Sequence, residues 1–251
     1  MTPATAADRV PEPTGKHAVG RLSYDWVDST RTEIYGANGG DPRELVVFVW
    51  YPAKERAAEL APYLPQAWAP VADFLGINVA GLRSHAVPDA TVAADDSAYP
   101  VLLLSPSGFP PLLLTAIAEE LASHGFIVVG VNHTYETAVT AFGDGRVVPI
   151  NPAAIGGALG PQTGSHDDVF RQRASICEYK AADLASVAFL PVTDASIVKP
   201  ALEATEIQPQ RMWRITCDLM LAFFDKYLNG ATATVLDGPA DEYPEVTIGP
   251  P

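Results

Sequence analysis

The residues whose types could do chemistry in this 251-residue chain are Ser107 and His133. Ser107 precedes Gly108 just after the apolar run VLLLS at 101–105, and His133 closes the next such run, FIVVGVN at 126–132. A hydroxyl attacks an ester only with a base in hydrogen-bond reach. If the two runs are neighbouring strands, Ser and His emerge at their C-terminal ends, where α/β sheets keep their sites. No third group that would orient the imidazole is evident. The plainer reading is therefore preferred, with Ser107 a turn residue and His133 a polar strand end. The strongest signature of a serine esterase, Gly-x-Ser-x-Gly on a sharp strand-to-helix turn, surrounds none of the serines.

The other titratable groups have simpler readings. His124 precedes Gly125 and caps a helix C-terminus, where a cation complements the dipole. His166, with Asp167 and Asp168, stands at the start of a helix. His17 falls on the first strand and His85 on a loop, neither with a clear partner. Asp194 and Glu203 belong to no pattern, and Asp95-Asp96 is a solvated pair. Cys177 and Cys217 both fall on helices and are read as buried thiols rather than a disulfide. Two Cys without a Cys/His cluster make no zinc site, so no metal is expected.

Composition narrows the partners. The formal net charge is −14, which repels phosphate backbones, so no nucleic acid is expected. The apolar runs are strand-length, which excludes a membrane span. The opening MTPATAADRVPEPTG has no apolar core, so it reads as no secretory signal, and a cytoplasmic location is expected.

The elements alternate. Residues 1–15 read as a flexible arm, and KHAVGRLSYDWV at 16–27 as a strand. ELVVFVWYP at 44–52 reads as a strand buried on both faces. Residues 60–90 form an excursion of short helices, broken by Pro62, Pro65 and Pro70. Then come a buried strand at 101–105, a helix over 112–124 and a buried strand at 126–132, a βαβ unit with a parallel pair. In that helix Leu113, Ile117 and Leu121 face inward, with Glu119 and Glu120 outward. Residues 143–164 are a long Gly/Pro loop with a hairpin at Asp144-Gly145. Helices follow over 167–190 and 209–229, the second turning Met212, Ile215, Leu219, Phe223 and Tyr227 inward. The fold class is α/β.

Four segments resemble the plasma-type, isoform II platelet-activating-factor acetylhydrolases, serine esterases of the α/β-hydrolase fold. They are VVFVWYPA at 46–53, LLLSPSGF with AIAEELASHGFIVVGVNHTYE over 102–136, the helix 171–190, and LMLAFFDKYLNG with VLDGPADEYPEV over 219–246. RSHAVPDA at 83–90 is similar to the piece before that family's first core strand. The resemblance implies a small acyl-ester ligand, no cofactor, and an oxyanion donor at the backbone N–H of Phe109, after the turn Ser105-Pro106-Ser107-Gly108. Annotation by similarity would add lipid degradation.

The resemblance also implies a gap. In the family the helix matching 171–190 leads into the nucleophile elbow and then the catalytic Asp and His. Here PVTDASIVKPAL follows at once and resembles the piece after the catalytic His. Three βα units, on the order of a hundred residues, are missing near 190–193. The expectation is one truncated domain over 16–251 with a reduced, mostly parallel sheet of four to six strands flanked by helices. Two readings follow: a catalytically impaired member of a carboxylic-ester hydrolase family, or a non-catalytic binding module. Loss of central strands uncovers apolar surface, so self-association through an exposed sheet or helix face is expected.

Overall fold

The computed structural model describes residues 10–36, 40–57, 59–94, 98–106, 108–154, 207–238 and 241–246. Ser107, Asp95-Asp96, His166, Asp167, Asp168, Cys177, Asp194, Glu203, the helix expected over 167–190 and the junction near 190–193 lie outside these residues. The chain divides into two compact units, Met1–Glu203 and Ala204–Pro251.

In the first unit the β-branched and aromatic runs form strands. β1 (Ala18–Thr32) pairs antiparallel with β2 (Pro42–Ala53), in register from Ala18↔Ala53 to Asp28↔Arg43. β3 (Ala86–Pro88) lies parallel to the start of β1. β4 (Val101–Leu104) lies parallel to β5 (Ile127–His133), and β5 is antiparallel to β2. The described sheet is therefore mixed, with five strands in the order β3-β1-β2-β5-β4. This is the α/β sheet that the sequence implied.

The 60–90 excursion carries a single turn, Gln66–Trp68, and the short helix α1 (Ala69–Leu75), as its prolines require. α2 (Thr115–Ser123), preceded by a tight turn over Pro111–Leu114, crosses from β4 to β5 and packs on β2 and β5. Leu112, Leu113, Ile117 and Leu121 are buried there, each side chain contributing roughly 1.5–3 kcal/mol. The hairpin expected at Asp144-Gly145 joins β6 (Val139–Ala141) to β7 (Val147–Pro149). Two hydrogen bonds of 2.8 Å from Arg146 to the Glu44 carboxylate pin that hairpin to β2.

Glu119 and Glu120 do not point outward, because every residue of α2 is buried. Helix periodicity sees only the face toward the sheet. The opposite face is covered by the excursion and by the N-terminal segment. Glu119, fully buried, accepts hydrogen bonds from the backbone N–H groups of His85 and Ala86, all at 3.0 Å. Arg21, also buried, donates to the carbonyls of Pro62 (2.8 Å) and Tyr63 (3.4 Å), and the Tyr63 hydroxyl donates to the Leu113 carbonyl. Burial pushes the Glu119 carboxyl up, against the pull of the His85 N–H and of Arg21. This polar set clamps the excursion onto β1 and α2.

Glu120 fastens the chain's leading segment. It accepts from the Thr14 N–H at 2.8 Å and the Thr14 hydroxyl at 2.5 Å, and pairs with His124 at 3.2 Å. The Gly15 N–H donates to the Ser123 hydroxyl at 3.0 Å. Of the arm expected over 1–15, the described part from Val10 is thus tied down, and Val10 itself is buried. His124 is the C-cap residue of α2, as its place before Gly125 suggested. Burial pushes the Glu120 carboxyl up, but hydrogen bonds from His124 and Thr14 outweigh it, and the carboxyl sits below its ordinary value. A depressed acid contributes stability above its unfolded value, and that stability is lost as pH falls through the folded value. Thr14→Val should therefore lower stability by about 1–2 kcal/mol at neutral pH. Its deficit against the parent should shrink in acid, on urea denaturation from pH 7 downward. A deficit that does not change with pH would contradict this role for Glu120.

Two burial expectations fail. The 101–105 strand is not buried on both faces: Leu102 is buried, but Val101 and Leu103 are 63% and 72% exposed. In the second unit α3 (Pro209–Leu228) buries Met212, Ile215 and Cys217, yet Phe223 and Tyr227 are 48% and 64% exposed. The buried positions of α3 among the described residues lie in its first half. Within that unit Arg211 bonds Glu245 at 2.9 Å, and the Tyr243 hydroxyl donates to Asp218 at 2.5 Å, so the tail folds back on the helix. Among the described residues no helix is long and apolar enough to cross a membrane.

Candidate active site

Strand register assembles a polar cluster at the C-terminal ends of β4 and β5. Ser105 is the first residue after β4, and Leu104 pairs with Gly130, so parallel β5 carries His133 out at the same end. His133 pairs with Leu45 on antiparallel β2, which sets Arg43, two residues earlier, beside it. The turn after β5, closed by the Glu136 and Thr137 N–H groups on the His133 carbonyl, swings Glu136 onto Arg43.

The His133 Nε2 lies 2.8 Å from the Ser105 hydroxyl oxygen. Its Nδ1 lies 3.4 Å from Arg43 Nη2. Arg43 also holds the buried Glu33 carboxylate at 3.2 Å and makes a close ion pair with Glu136. Burial pushes the His133 imidazole down, Glu136 pulls it up, and Arg43 and Arg31 push it further down, so it titrates below its ordinary range. Ser105 is exposed and His133 half-buried.

Of the sequence candidates, His133 is where it was expected, but the hydroxyl on its Nε2 is that of Ser105. Gly108 follows with φ +81°, a left-handed conformation that favours glycine, and its carbonyl accepts from the Ala138 N–H at 3.0 Å. That bond anchors the turn carrying Phe109 to the segment after β5. Sequence reading missed Ser105, Arg43, Glu33 and Glu136. The Arg43–His133 neighbourhood depends on β2 running antiparallel to β5, which no local motif encodes. Among the described residues no group of His, Cys, Asp and Glu is placed to hold a metal ion.

The mixed sheet, with its parallel β4–α2–β5 unit opening on a glycine turn, is an α/β architecture. The ferulic acid esterase from Streptomyces cinnamoneus superposes with a TM-score of 0.75 at 22% identity, over 96% of this chain and 99% of that one, and fixes the fold. The chain belongs to the platelet-activating factor acetylhydrolase, isoform II, family, whose profile matches residues 4–145. It is 27% identical over 161 residues to the "Probable 1-alkyl-2-acetylglycerophosphocholine esterase" of Arthroderma benhamiae. It is also 27% identical over 138 residues to the platelet-activating factor acetylhydrolase of Bos taurus. These matches take in 55% and 53% of this chain but only 40% and 30% of the relatives, so it spans less than half the length of either.

Proposed function

We propose that this esterase-family chain is catalytically impaired. Its parent reaction is attack of a serine hydroxyl on a short acyl ester, through an acyl-enzyme and without a cofactor. The reading is carried by one observation: no serine in the 251 residues stands in Gly-x-Ser-x-Gly. A nucleophile elbow holds Oγ exposed at a sharp turn, beside backbone N–H donors for the developing oxyanion. What remains is a binding module at the C-terminal ends of β4 and β5. The Phe109 N–H is its oxyanion-type donor, and an acyl ester is the ligand class it would receive without cleavage.

A second reading, residual hydrolysis through Ser105 and His133, is favoured by their 2.8 Å contact. It meets an obstacle in the third partner. An imidazole acting as base is oriented by a carboxylate on Nδ1, and here that place is held by Arg43. Assay of p-nitrophenyl acetate hydrolysis separates the two. The expected rate equals that of buffer with heat-denatured protein, unchanged in Ser105→Ala and Ser107→Ala. Saturable turnover abolished by Ser105→Ala would establish the second reading, and turnover abolished by Ser107→Ala alone would overturn both.

A further inference from the structure

We infer that Arg43 is a positioning residue that fixes the tautomer of His133, so that the imidazole donates to Ser105 instead of accepting from it. A guanidinium has five N–H donors and no acceptor. A neutral imidazole carries its proton on one nitrogen only. A proton on Nδ1 would face the Arg43 Nη2 N–H at 3.4 Å, donor against donor and beside a full positive charge. Nδ1 is therefore the lone-pair nitrogen, and the proton sits on Nε2, 2.8 Å from Ser105 Oγ.

Arg43 cannot readily turn away. Glu33, only 3% exposed, and Glu136 grip its two terminal nitrogens, and its own side chain is 12% exposed. The Glu33 carboxylate is itself held, accepting the Tyr35 N–H at 2.9 Å. The charged groups acting on His133 are thus Arg43, Glu136 and Arg31, with Glu33 acting through Arg43. The polarity of the relay runs from Arg43 to His133 to Ser105. Ser105 Oγ accepts from the imidazole, and its own O–H is left to donate outward. An exposed hydroxyl of that kind suits an acceptor oxygen on a ligand, such as an ester carbonyl, and is not a hydroxyl being deprotonated.

This inference rests on the impaired-site reading, yet it is tested apart from it. Nitrogen-15 spectra of imidazole-labelled protein distinguish the protonated from the lone-pair nitrogen of His133, with His133→Gln supplying the assignment. The expected result is a protonated Nε2 and a lone-pair Nδ1 at neutral pH. Arg43→Met should let the proton populate Nδ1 and shift the His133 titration upward, because Glu136 is then opposed only by the smaller effect of Arg31. Removal of Arg43 leaves Glu33 buried without its partner, so Glu33→Gln/Arg43→Met provides a second variant in which no buried carboxylate is stranded, Glu136 being 39% exposed. A protonated Nδ1 in the parent protein would overturn the inference, as would a tautomer and titration unmoved in both variants. Ester hydrolysis by a protein with protonated Nε2 would instead sink the impaired-site reading and leave the tautomer assignment standing.

Discussion

Glu119→Ala should cost the fold about 3–5 kcal/mol, the range for removing one partner from a buried charged set. The carboxylate takes three hydrogen bonds of 3.0 Å from the two backbone N–H groups of His85 and Ala86. It also faces Arg21, whose guanidinium burial already pushes below its ordinary range. Loss of the carboxylate leaves the His85 N–H without this acceptor, the Ala86 N–H with only the Ser84 hydroxyl at 3.3 Å, and the buried Arg21 without its counter-charge, and it opens a void in a helix with no exposed residue. Glu119→Gln keeps the shape and one acceptor oxygen, so its loss should be smaller. Urea denaturation followed by far-UV circular dichroism reads both. A loss under 1 kcal/mol for Glu119→Ala would mean that the excursion is held by apolar contacts alone.

The second large effect is expected at Gly130, in the middle of β5. A Cβ there would lie 2.7 Å from the Pro111 Cβ and 3.0 Å from the Trp50 ring. Neither neighbour yields easily. Pro111 is a ring at the start of the turn into α2, and Trp50 is fully buried. Gly130→Ala must push that turn off the sheet, and overpacking of this kind costs typically 1–3 kcal/mol. Because Pro111 follows Phe109 by two residues, the displacement also reaches the turn carrying Phe109. Equilibrium denaturation should show the loss, and the nitrogen-15 signature of His133 should move with it. A variant as stable as the parent would show that α2 does not rest on β5 through this contact.

The strands, the crossover helix and the Asp144-Gly145 hairpin were legible in the sequence because their signals are local. β-branched runs, the helical spacing of Leu113, Ile117 and Leu121, and the glycine stop at Gly125 each act within a few residues. The polarity of α2 was not legible. Glu119 and Glu120 look like a solvated pair until residues 10–17 and 60–86 close over them, and the donors that satisfy Glu119 come from a loop more than thirty residues away. The exposed side of β4 and the exposed aromatics of α3 escaped for the converse reason. VLLL and AFFDKYL are apolar enough to be read as buried, while the surface that would cover them is a matter of what else the chain supplies.

The candidate site was legible in outline only. A serine near the end of one strand and a histidine at the end of the next are enough to suggest a meeting point, but which hydroxyl reaches the imidazole is decided by register. Ser105 follows β4 directly, and parallel pairing with β5 puts it on His133. Arg43, Glu33 and Glu136 carry no motif. They become a set only when β2 runs back alongside β5 and the turn after His133 folds over.

The most direct test is intact-mass analysis of the purified protein after incubation with a fluorophosphonate, which bonds covalently to an activated serine and spares ordinary hydroxyls. The account predicts an unchanged mass at neutral pH over hours. Addition of one phosphonyl group per chain, lost in Ser105→Ala or Ser107→Ala, would contradict it.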